Sequence, residues 1–115
     1  REIAGAMLRR LRYRPITVAS GEAAVEWIAK HRADVVILDM VMDPGMSGRQ
    51  TYQAILRHRS EQPAIIASGY SDTDDVRATL GMGAAELLKK PYSLVELGCA
   101  LRTALGRSEG HGSPQ

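Results

Sequence analysis

The chain has 115 residues, 44% of them hydrophobic and 24% charged, with a net charge of +2 and a pI near 8.9. That length supports one domain with a real core and not two, and the composition excludes a disordered chain. The mild charge and the lack of any 18-residue apolar run argue against a polybasic nucleic-acid binder and a membrane-spanning helix.

Residues 1–12 place Ile3, Met7, Leu8 and Leu11 at one-turn and two-turn spacings, which predicts an amphipathic helix. Its basic end, Arg9, Arg10, Arg12 and Arg14, distributes over two sides of the helix and reads as a solvated terminus, so direct nucleic-acid binding is not expected. Ile16-Thr17-Val18-Ala19 follows Pro15 as a short strand. Ser20 then caps a helix over Ala23, Ala24, Trp27 and Ile28, with Trp27 as a packing anchor.

Asp34 to Leu38 is short, continuously apolar and β-branched, which predicts a strand covered on both faces and ending at Asp39. Asp43-Pro44-Gly45 makes a turn, and Ser47 with Gln50 forms a capping box for a helix carrying Tyr52, Ile55 and Leu56. Ala64 to Ala67 is a further buried strand that delivers Ser68. Asp72 or Thr73 opens a helix over Val76 and Leu80, which Gly81-Met82-Gly83 ends. Ala84 to Leu88 is the last strand, leading to Lys89-Lys90-Pro91, and Ser93 with Glu96 caps the final helix. The polar, glycine-rich residues 107–115 read as a flexible tail or linker after a domain at 1–106.

Helices and strands thus alternate with short connections, the pattern of an α/β doubly wound parallel sheet. Ligands in this architecture bind beyond the carboxyl ends of the strands, where Asp39, Ser68 and Lys90 all fall. An aspartate there is either a backbone cap or a nucleophile toward a phosphoryl group. Lys90 supplies a point charge for phosphoryl oxygens and Ser68 a hydroxyl donor, while Gly69 leaves room for close approach. Phosphoryl transfer also benefits from magnesium, which prefers oxygen ligands. Asp39 is one such ligand, and no second acid ends an earlier strand.

With these residues the sequence resembles the receiver domains of two-component signalling. The carriers are Leu38-Asp39-Met40, Pro44-Gly45-Met46-Ser47-Gly48, Ala67-Ser68-Gly69 and Lys89-Lys90-Pro91, with Asp39, Ser68 and Lys90 spaced 29 and 22 residues apart. The resemblance implies a CheY-like, flavodoxin-like fold in which a partner's phosphohistidine donates to Asp39, with Ser68 and Lys90 in supporting roles. It also implies a magnesium site using Asp39 and the backbone carbonyl of Val41, a cis peptide before Pro91, and a cytoplasmic setting. The implied partner is a sensor histidine kinase, a phosphotransfer domain or a kinase domain on the same polypeptide, with no membrane contact. Enzymatic character, given a complete acidic pair, would be self-catalysed phosphotransfer and dephosphorylation, or that of a histidine kinase of which the domain is part.

Two departures from the family stand out. The chain begins inside a helix, without the strand and acidic pair that hold magnesium in receivers, and Leu87 occupies the position of the usual aromatic switch residue. The first departure fits either a fragment of a complete receiver or a naturally short domain, and the joint presence of Asp39, Ser68 and Lys90 favours the fragment. The rival function is a noncatalytic receiver-like interaction module without magnesium-dependent phosphorylation. The remaining polar residues suggest little chemistry: His31, His58 and His111 form no ligand pattern, and Cys99 reads as a buried, inert thiol. Met40, Met42 and Met46 read as filling a loop-side core, and Tyr70 and Tyr92 flank the proposed site, where Tyr92 reads equally as ordinary packing.

Overall fold

The computed structural model of the chain describes residues 2–16, 20–40, 46–69, 73–83 and 85–110, with side chains described between 5 and 106. The elements are α1 (Glu2–Arg10), α2 (Gly21–Lys30), β1 (Val36–Asp39), α3 (Gly48–His58), β2 (Ala64–Ser68), α4 (Asp74–Leu80), β3 (Ala85–Lys89) and α5 (Leu94–Gly110). Among the described residues the sheet has the order β1-β2-β3. Both pairings are parallel, with Asp39 opposite Ala67 and Ser68 opposite Lys89. The register therefore sets Asp39, Ser68 and the residue after Lys89 at one end of the sheet.

Strand alternation divides the core into two layers. Leu38, Ala64, Ile66 and Ala85 face α2, α3 and α4, where they meet Ile28, Tyr52, Ile55 and Val76. Ile65 and Leu88 face the other way, onto Leu97, Leu101 and Ala104 of α5, with Met7, Leu8 and Leu11 from the α1 side. Each fully buried aliphatic side chain contributes about 1.5–3 kcal/mol, so the central strand β2, buried at every position, is the sheet's anchor. The polar groups beneath it are satisfied. Tyr52, fully buried, donates its hydroxyl to the Gln62 carbonyl at 2.9 Å, and the Gln62 side-chain amide donates to the carbonyls of Ala33 and Pro63.

The local punctuation follows the sequence. The hydroxyls of Ser20 and Thr73 accept from Ala23 and Val76, and capping boxes form at Ser47/Gln50 and Ser93/Glu96. Several expectations need correction. β1 is only partly covered, because it lies at the edge of the described sheet rather than inside it. Cys99 is exposed: α5 packs through Leu97, Leu101 and Ala104, and a residue two beyond Leu97 points off that stripe. Ile16 is not in a strand and is 57% exposed, while Thr17, Val18 and Ala19 lie outside the described residues. α5 continues to Gly110, past the expected start of the tail at residue 107, since a polar composition does not prevent helical backbone.

One feature carried no sequence signal. α1 ends with Tyr13 N–H donating to Leu8 O and Arg12 N–H to Arg9 O, a Schellman closure whose left-handed residue is Arg12 at φ 72°. Glycine is the usual occupant of that conformation.

Candidate functional site

Asp39 is the last residue of β1, and the backbone beyond it is pinned at once, because Met40 N–H donates to Ala67 O at 3.0 Å. Lys90 follows β3, and its N–H donates to Ser68 O at 2.7 Å. Two backbone bonds thus tie the three strand ends together. Across them Lys90 Nζ lies 2.5 Å from Asp39 Oδ2, a contact between residues 51 apart in sequence. Lys89, the alternative lysine, belongs to the strand itself, and it is Lys90 that reaches the acid. Ser68 is 5% exposed, and the Lys90–Pro91 peptide is cis, as expected.

The Asp39 and Lys90 side chains are each about two-fifths exposed. An ion pair open to solvent to that degree contributes at most about 1 kcal/mol to stability, so the fold does not depend on it. Its exposure has a chemical consequence instead, since a group from another molecule can approach the carboxylate.

The elements around Asp39 approach unusually closely. A Cβ on Gly48, the first residue of α3, would lie 2.7 Å from Asp39 O and 2.9 Å from Met40 Cα. A Cβ on Gly21, the first residue of α2, would lie 2.1 Å from Thr51 Oγ1 and 3.1 Å from Met46 Cβ. Glu22 Oε2 accepts from Met46 N–H at 3.1 Å, and Arg49 pairs with Asp75 at 3.0 Å, joining the amino ends of α3 and α4. Sequence reasoning passed over Glu22 and Arg49. The only available signal was their place in the first turns of predicted helices, which favours acids and disfavours Arg49 there.

Val41, Met42, Asp43, Pro44, Gly45, Tyr70, Asp72, Ala84 and His111 lie outside the described residues. Tyr92 is partly buried against the α5 layer and Leu87 against the α2–α4 layer, both as packing residues. Met40 is a core residue, as expected. A surface depression of about 340 Å³, lined by residues including Leu87, Lys89, Val95 and Cys99, lies along β3 and α5 at the edge of the described sheet opposite β1. The acid–lysine pair lies apart from it, with both side chains open to solvent.

A divalent cation of the magnesium type needs several oxygen ligands. Among the described residues no group of three or more His, Cys, Asp or Glu could hold one. Asp39, with one oxygen against Lys90, supplies one such ligand, and Val41, the other expected ligand, lies outside the described residues.

The model of the response regulator receiver domain matches residues 1–102. Among curated relatives, the sensory transduction protein RegX3 of Mycobacterium leprae is 38% identical over 90 residues, 78% of this chain and 44% of that protein. The transcriptional regulatory protein KdpE of Mycobacterium tuberculosis is 35% identical over 96 residues, 84% of this chain and 42% of that protein. The chain thus spans less than half the length of these relatives. The solved receiver domain of the sensor histidine kinase PA1611 from Pseudomonas aeruginosa, which has a magnesium ion in its active-site cleft, superposes with a TM-score of 0.82 at 28% identity. That match covers 91% of this chain and 87% of the other. CheY4 of Vibrio cholerae shares the fold, with a TM-score of 0.82 at 24% identity over 90% and 88% of the two chains. With the parallel strands, the acid–lysine pair at their ends and these matches in agreement, the chain belongs to the response regulator receiver domain family of two-component signalling.

Proposed function

We propose that Asp39 is the phosphoacceptor of this receiver, taking a phosphoryl group from a phosphohistidine on a sensor kinase or phosphotransfer domain. The observation that carries the reading is the 2.5 Å contact between Lys90 Nζ and Asp39 Oδ2 at an exposed strand end. A carboxylate oxygen of Asp39 forms the new bond to phosphorus as the phosphorus–nitrogen bond of the donor breaks, and the electron pair leaves with the imidazole. Lys90 provides a fixed positive charge beside the oxygens that gain negative character, an arrangement that costs little reorganisation during transfer. Ser68, whose carbonyl accepts the Lys90 amide, offers its hydroxyl to the product's oxygens. The exposure of the pair suits a donor presented by another protein, and a cytoplasmic location accords with that kind of partner. Among the described residues no helix is long and apolar enough to cross a membrane.

The test is labelling of the full-length protein with acetyl phosphate and magnesium, followed by acid-stable and base-labile product analysis. Label should appear in the wild type and vanish in Asp39→Ala. Lys90→Ala should reduce the rate by about 100-fold, the loss expected for one preorganised charge. Undiminished label in Asp39→Ala would move the site elsewhere. A wild type that binds its kinase but takes no label would identify a noncatalytic interaction module.

A further inference from the structure

We propose that Glu22 is a positioning residue for phosphorylation, holding the amino end of α3 in the place that sets Asp39. This inference rests on the phosphoacceptor reading of Asp39. Glu22 lies in the first turn of α2, where an acid is ordinarily explained by the helix dipole alone. That account leaves its hydrogen bond unexplained: Oε2 accepts from the backbone N–H of Met46, 24 residues away.

The consequences run along a short path. Met46 precedes Ser47, which caps α3, and Gly48 follows with its Cα against the Asp39 carbonyl and Met40. On the other side Gly21 brings α2 so close that a methyl group there would strike Thr51 and approach Met46. Thr51 is buried and donates to Ser47 O at 2.8 Å. Residues 46–48 are therefore wedged between the start of α2 and the backbone of the phosphoacceptor. The two glycines set how near the elements come, and they do so by removing atoms, which permits an approach without fixing it. Glu22 supplies the directional contact that fixes it.

The Glu22 bond is exposed, so water can satisfy Met46 N–H when the carboxylate is removed, and the fold should survive its loss. Placement of a reacting group is more sensitive, since displacements of an ångström cost large rate factors. Stability and phosphorylation should therefore respond differently to the same change.

The experiment compares Glu22→Ala and Glu22→Gln with the wild-type full-length protein, using acetyl phosphate and magnesium. Glu22→Ala should lower the maximal labelling rate about tenfold without changing the half-saturating phosphodonor concentration or the thermal midpoint, and should speed hydrogen exchange at the Met46 amide. Glu22→Gln, which keeps an acceptor oxygen, should label within about twofold of wild type. Labelling of Glu22→Ala at the wild-type rate, with Asp39→Ala unlabelled, would overturn the positioning role while leaving the phosphoacceptor intact. Equal losses in the Ala and Gln variants would overturn it too, by assigning the effect to helix-end charge. An unlabelled wild type would instead remove the phosphoacceptor reading itself, and this inference with it.

Discussion

Gly48 and Gly69 both sit near the carboxyl ends of strands, one beside Asp39 and the other directly after Ser68, yet their surroundings are opposite. A side chain at Gly48 would collide with the backbone of Asp39 and Met40, whereas among the described residues nothing lies within 4 Å of the corresponding position at Gly69. The acid's side of the site is packed to contact. The hydroxyl's side is open at that point. The difference suggests a division of labour in which one side holds the proposed phosphoacceptor still and the other has room for an incoming group.

The sharpest way to break this contrast is Gly48→Ala. Its clash is with main-chain atoms that have little freedom to yield, so the variant should lose about 3 kcal/mol in urea unfolding. A loss below about 1 kcal/mol would show that the packed side yields easily. Tyr52→Phe probes the polar part of the same packed layer. Removing the buried hydroxyl strands the acceptor at Gln62 O, and the expected cost is about 1.5 kcal/mol by the same measurement. Arg12→Gly addresses the far end of α1, where backbone geometry rather than packing is the issue. Glycine relieves the left-handed strain at φ 72° and should raise stability by about 1 kcal/mol. The smallest effect belongs to Gly69→Ala, which should change stability by less than about 0.5 kcal/mol because the added methyl meets no neighbour among the described residues.

The features that could be read from sequence are those decided within a few residues or by a strict period. Ser20, Thr73, and the pairs Ser47/Gln50 and Ser93/Glu96 announce helix starts because the capping bond spans only three residues. The alternation of Ile65 and Ile66 between two layers follows from the pleat of any strand. Asp39 and Lys90 were legible as strand-end residues, and their contact follows from the parallel register.

What remained hidden depends on neighbours that only the fold provides. The half-covered state of β1 reflects its place at the edge of the described sheet, and an apolar run reads the same there as in the interior. Cys99 was misread because its flanking residues Leu97, Gly98, Ala100 and Leu101 are collectively apolar, while only part of that helix surface faces the sheet. Glu22 and Met46 are too far apart for any local pattern to connect them. Arg12 was invisible for a different reason, since it adopts a conformation its side chain disfavours.

The placement of Trp27 has a spectroscopic consequence. It is the only tryptophan of the chain, it packs against the α2–α4 layer, and it stacks on His31 with ring centroids 4.6 Å apart. Indole emission in this protein is thus a reporter of one layer alone. Agreement between emission and far-ultraviolet circular dichroism during unfolding would mean that the α1–α5 layer melts together with it, and an earlier dichroism change would reveal that layer as a separately cooperative unit.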